Sequence, residues 1–170
     1  MFTKDTAMAD TTRYSKLQIT LHWLIAVLIV ATWWLGDGMG RALRTRFEQN
    51  QTGFEGNTWH VWLGSAVLLL VLIRLVVRWT QGAPEPVNDT PPLLHAAGVW
   101  GHRLLYLLMI LAPLMGALTW YFKIGALGDP HALVANALMI VALGHALVAL
   151  YHHYILKDGT LRRMTRGTAA

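Results

Sequence analysis

The stretch HALVANALMIVALGHALVALYHHYIL, residues 131–156, carries no Asp, Glu, Lys or Arg, yet it holds four histidines. As a helix it is long enough to cross a hydrocarbon core of about 30 Å. Three further apolar blocks precede it, Leu17 to Gly36, Trp59 to Trp79 and Leu104 to Phe122. Helices are therefore expected at about 14–36, 59–79, 102–122 and 131–156, an all-α bundle of four membrane spans that leaves no room for a second domain. Composition agrees, with 55% apolar residues, 14% charged residues and a mean hydropathy of +0.41. Disorder, a coiled coil and a water-soluble enzyme are poor readings of such a chain.

All nine acidic residues lie outside the four blocks. Ten of the 14 basic residues fall on one side once the segments alternate across a membrane: Lys4, Arg13, Lys16, Arg74, Arg78, Arg103, Lys157, Arg162, Arg163 and Arg166, against Arg41, Arg44, Arg46 and Lys123. Positive charge is retained on the cytoplasmic side, so both termini are expected there. The net charge of +5 is then a topology signal, and nucleic acid is not needed to explain it. Seven of the eight tryptophans (33, 34, 59, 62, 79, 100 and 120) sit near block ends, where amphipathic rings prefer the headgroup zone. The first block is too long for a signal peptide and reads as a retained anchor. The proline-rich stretch from Ala83 to Leu93 reads as an extended cytoplasmic connector. Pro113 falls inside the third span, where it should kink the helix.

With no cysteine, the chain has no thiolate nucleophile, iron–sulfur cluster or covalently attached haem. Gly36, Gly38 and Gly40 do not follow a strand, so they make no nucleotide-binding fingerprint. Histidine carries the chemistry instead. His22, His60, His131 and His145 lie within or at the outer ends of apolar spans, where an ionisable group is expensive and points to function. The plain alternative for any one of them is a hydrogen bond to a neighbouring helix.

Spacing separates the two readings. His131 and His145 stand 14 residues apart, about 21 Å along a helix and within about 40° of one face, so they cannot share a metal ion. The fourth span, like the second, runs from outside to inside, so His131 lies at the level of His60 and His145 nearer that of His22. Two bis-imidazole pairs follow, one in each half of the bilayer, and such a pair without carboxylate or thiolate suits a low-spin b-type haem. His152, about 10.5 Å below His145, competes for the inner ligand role but would crowd two porphyrins. It is left as a site residue or an interfacial histidine, while His153 reads as surface.

Arg74 stands 14 residues beyond His60 in an apolar span, where a lone guanidinium costs a few kcal/mol unless an anion meets it. A haem propionate is the obvious anion. Arg78 is either a second propionate contact or a plain cytoplasmic anchor. Arg13, Tyr14, Ser15 and Lys16 can supply further polar contacts at the same mouth. On the outer side Arg41, Arg44 and Arg46 form a basic cluster in a loop, which either focuses an anionic donor or is simply solvated.

The stretches RYSKLQITLHWL from residue 13, WHVWLGSAVLLLVLIRLVVR from 59, GHRLLYLLMILAPLMG from 101 and GHALVALYHHYILKDGTLRRM from 144 together resemble the bacterial cytochrome b561 family over roughly residues 13 to 166. The resemblance implies a di-haem cytochrome of the bacterial inner membrane, with two haem b groups held by His22, His60, His131 and His145. Relatives of the superoxide oxidase type pass an electron from superoxide outside to ubiquinone, with His152 near the quinone. Ser15, Lys16 and Lys157 are further quinone-site candidates, with His102 either another or an ordinary interfacial residue; His95 is given no role. The third connection, Lys123 to Pro130, is shorter than in many relatives, which bears on the outer docking surface only. The competing expectations are a membrane anchor that passes electrons between a peripheral dehydrogenase or hydrogenase and quinone, and a metal-ion transporter, which would want carboxylates in its path.

Overall fold

The computed structural model describes the backbone of residues 14–84 and 92–165, and the side chains of 14–84 and 96–165. Arg13, Arg166 and residues 85–91 of the proline-rich connector lie outside the described residues, as does the side chain of His95. The described elements are helices α1 (Lys16–Trp34), α2 (Met39–Glu48), α3 (Trp59–Gln81) and α4 (Pro92–Tyr121), a short 3-10 turn (Gly125–Leu127), α5 (Gly128–Tyr151), a π-turn (His152–Leu156) and α6 (Thr160–Thr165). Four helical segments among them are long and apolar enough to span a membrane: Lys16–Trp34, Trp59–Gln81, Ala96–Tyr121 and Gly125–Leu156.

Local chemistry sets the boundaries. Ser15 accepts the Gln18 N–H at 3.2 Å while the Gln18 side chain accepts the Ser15 N–H at 3.1 Å, a reciprocal box that opens α1. Thr58 caps α3 through the Val61 N–H. Gly82, at φ 74°, closes α3 in a conformation that disfavours other residues. Two boundaries differ from expectation. The third span is preceded by about two and a half more helical turns and begins at Pro92, whose fixed φ and missing N–H suit a first helical position. The first connection holds the helix α2 rather than a loop.

Packing runs α1 on α3, α3 on α4 and α4 on α5. Ile25, Val67 and Val71 form one buried cluster and Leu108, Ala112 and Leu138 another, with Ile29 and Met109 touching both. Few residues are fully buried, and large apolar side chains such as Leu69, Leu133 and Ile140 point outward. That is the distribution expected when lipid covers the perimeter, because hydrocarbon leaves helices no hydrophobic reason to hide leucine. Polar clasps join helices instead. Trp33 Nε1 donates to Asn136 Oδ1 at 2.9 Å across α1 and α5, and Gln18 Nε2 to the Gly82 carbonyl at 2.8 Å across α1 and the end of α3.

Candidate functional site

His60 lies in the first turn of α3 and His131 in the first turn of α5; these alternate spans run in the same direction, which brings the two rings to 5.9 Å between centroids at 83°. Each ring is pinned from behind. His60 Nδ1 donates to the Thr32 carbonyl and His131 Nδ1 to the Ala112 carbonyl, both at 2.8 Å. A carbonyl can only accept, so each Nδ1 carries the proton and the neutral ring keeps its Nε2 lone pair free. At Gly116 glycine makes the room: a Cβ there would stand only 3.0 Å from His131 Cε1, whereas one at Gly36 would meet His60 Cε1 at an ordinary 3.6 Å.

The second pair sits nearer the other end of the bundle. The rings of His22 and His145 are 6.3 Å apart at 73°. His102 joins them, its ring 5.0 Å from that of His145 and its Nδ1 donating to the Gly98 carbonyl at 2.6 Å. His102 thus belongs to the neighbourhood of the inner pair.

These pairs fit haem. A metal–imidazole bond is about 2.0 Å, so two rings on opposite sides of one ion stand roughly 6 Å apart between centres. No group of three or more His, Cys, Asp or Glu suited to a metal ion occurs among the described residues. Two imidazoles alone leave most of a coordination sphere open, which a porphyrin would complete. His22, His60, His131 and His145 would hold the irons.

Arg74 is 9% exposed and donates through Nη1 to the Gln18 carbonyl at 2.7 Å. With Arg78, Tyr14, Gln18 and Tyr106 it lines a small cleft at the end of the bundle where α1 begins and α3 ends. Two guanidinium groups and two phenols around one space suit a carboxylate such as a propionate.

The other residues expected at this mouth divide. Ser15 is engaged as the cap of α1, and its hydroxyl also donates to Gln81 Oε1 at 2.6 Å. Lys16 and Lys157 are exposed. The His153 ring packs on Tyr154, 4.8 Å between centroids. His152 Nδ1 donates to Asp158 Oδ2, and Asp158 Oδ1 accepts the Thr160 N–H at 3.0 Å. Burial pushes the Asp158 carboxyl pKa up, but the bonds from His152 and Thr160 outweigh it and hold the group below the ordinary carboxylate range.

The outer basic cluster needs correction. Arg41 and Arg44 are exposed, but Arg46 is fully buried. Its Nε donates to the Trp120 carbonyl and its Nη2 to the Gly53 carbonyl, both at 2.8 Å, and its Nη1 to the Glu55 carbonyl. The guanidinium carbon lies 4.8 Å from the Trp120 ring centre. Arg46 therefore clamps α2, the following loop and the end of α4 together, and offers no charge to an arriving anion. Asp158, Gly36, Gly116 and the carbonyls of Thr32 and Ala112 were not expected at all. For the glycines the signal was their lack of a side chain inside or beside apolar spans; for main-chain carbonyls a sequence carries none.

The sequence model described as prokaryotic cytochrome b561 matches residues 13–167. The chain is 43% identical over 153 residues to a protein named cytochrome b562 from Cereibacter sphaeroides, covering 90% of this chain and 95% of the relative. It is 30% identical over 180 aligned positions to a probable superoxide oxidase CybB from Yersinia pestis, covering 89% and 95%. A cytochrome b561 homolog 1 from Escherichia coli is 28% identical, with 89% and 96% covered.

Proposed function

The chain belongs to the prokaryotic cytochrome b561 family of membrane electron-transfer proteins, and from that premise we propose that it is a di-haem wire that oxidises superoxide on the outer side and reduces ubiquinone within the membrane. The observation that carries the reading is the presence of two cross-helix imidazole pairs, His60 with His131 and His22 with His145, at two depths of one bundle. Haem, when bound between each pair, supplies a one-electron carrier. The name of the Yersinia relative supports superoxide as donor.

The residues have distinct tasks. His60 and His131 hold the outer group, their ring orientation fixed by the Thr32 and Ala112 carbonyls. His22 and His145 hold the inner group. Arg74, with Arg78 beside it, neutralises a propionate in the cleft. His152 stands at the cytoplasmic mouth, where quinone takes up two electrons and two protons to give quinol; the two electrons come from two superoxide anions oxidised to dioxygen on the outer side. Both termini are cytoplasmic and the protein is a multi-pass component of the bacterial inner membrane, embedded in lipid.

The purified holoprotein should show two b-type haems per chain by pyridine haemochrome. In anaerobic stopped-flow it should be reduced by superoxide and reoxidised by ubiquinone-1. A single haem per chain overturns the di-haem reading, and haem bands that stay oxidised under superoxide overturn the donor. Reduction only by a co-purified dehydrogenase or hydrogenase would make the chain an anchor.

A further inference from the structure

At the end of α5 the chain HHYILKDGT does something a plain helix terminus does not. It widens into the π-turn of His152–Leu156, passes through Lys157 at φ 53° and Gly159 at φ 77°, and reverses into α6. A π-turn and a left-handed lysine are both uphill in backbone energy and tend to mark functional positions. Their effect is to bring Asp158 back onto His152, six residues earlier. The Lys157 N–H bonds to the His152 carbonyl, and α6 is tied to α1 where Trp23 Nε1 donates to the Met164 carbonyl at 2.7 Å. The turn is thus held on both sides, and the carboxylate is held with it.

Both carboxylate oxygens are committed, Oδ1 to the Thr160 N–H and Oδ2 to His152 Nδ1. Those bonds favour an ionised carboxylate. An ionised acceptor at Nδ1 fixes the neutral His152 tautomer with Nε2 unprotonated, and stabilises the ring when Nε2 takes a proton. The arrangement has the logic of an acid that orients a histidine and supports its charged form without itself taking the proton.

We propose that Asp158 is a positioning residue that makes His152 the proton donor to the quinone, which rests on the reading above that quinone is reduced at this mouth. Protonated His152 gives its Nε2 proton to a quinone oxygen as the quinone is reduced, and the Nε2–H bond breaks as the quinone O–H bond forms. His152 returns to its neutral Nδ1–H form and regains a proton from cytoplasmic water. Asp158 stays ionised throughout, and a second passage completes the two protons of the quinol.

The test uses the haem-loaded protein in detergent, with ubiquinone-1 as acceptor and the haem bands as readout. Asp158→Asn keeps an oxygen for the Thr160 N–H, so α6 stays docked, but its amide N–H donates to His152 Nδ1 and enforces the opposite tautomer. Haem reoxidation by ubiquinone-1 should slow by about tenfold or more, as expected for a displaced general acid. The KM for ubiquinone-1 should stay within about twofold, since binding is untouched. Haem reduction by superoxide should not change. The pair His152→Gln with Asp158→Asn should be no slower than His152→Gln alone, because Asp158 acts only through the imidazole. A normal rate in Asp158→Asn alongside a slow His152→Gln overturns this inference and leaves the proposed function standing, and so does an additive double variant. Wild-type haem that ubiquinone-1 leaves reduced overturns the proposed function itself, and this inference with it.

Discussion

His131 donates its Nδ1 proton to the carbonyl oxygen of Ala112, the residue immediately before Pro113. Proline has no N–H for the Met109 carbonyl one turn back and disturbs the helix ladder around it. Gly116, one turn further, leaves the space in which the imidazole lies. A proline and a glycine in one span thus make the niche for a histidine in the next.

Gly116→Ala should displace that ring by a few tenths of an ångström, because the new Cβ would meet it at 3.0 Å. Redox titration and low-temperature spectra should show one of the two haems perturbed. Gly40→Ala, in α2 and away from both pairs, where a Cβ meets nothing within 4 Å, should leave both unchanged.

His60→Ala and His131→Ala should each lower the pyridine haemochrome ratio from two haems per chain to one, with His22→Ala and His145→Ala losing the other. Both pairs are contributed by separate helices, so removal of one ring leaves a single axial ligand. Retention of both haems in any of these variants would remove that histidine from the ligand set.

Arg46→Met should destabilise the protein by about 2–4 kcal/mol, since it strips donors from three carbonyls in a buried clamp. Thermal unfolding in detergent reads the loss. Arg41→Gln and Arg44→Gln, on exposed positions, should each stay within about 0.5 kcal/mol.

Arg74→Gln should weaken haem retention during size-exclusion chromatography more than Arg78→Gln does. Arg74 is the more buried of the two and is anchored to the Gln18 carbonyl. Equal losses from both variants would speak for a shared contact.

The Asp158 carboxyl is held below its ordinary range, so the stability it lends the α6 turn is fully present above the unfolded-state value of about 4. It is lost as pH falls through the lower folded value. Proteolysis after residue 158 should therefore rise under acid below the ordinary carboxylate range, as Asp158 takes its proton. In Asp158→Asn that acid step should vanish.

The four spans and the pairing of histidines were legible because they rest on length, apolarity and a 14-residue spacing, which a straight helix converts directly into depth and face. Arg46 was not, since an arginine in a connection rich in charged and polar residues looks solvated. Reading α2 as a helix corrects this: Arg41 and Arg44 share a face, and Arg46 falls about 140° round from Arg41, toward the protein. The link between Asp158 and His152 depended on a π-turn and a left-handed lysine; Asp158-Gly159 signals a turn, but nothing in a lysine signals that conformation or the return of the carboxylate onto His152.

The acceptors behind His60 and His131 are main-chain oxygens, and this governs how the outer pair can evolve. Replacing Thr32 or Ala112 exchanges a side chain and leaves the oxygen in place, so the protonated nitrogen is inherited with the helix geometry. Drift at those two codons is buffered, and selection retunes that end of the molecule through the residues that crowd the rings, such as Gly116, or by sliding a whole helix.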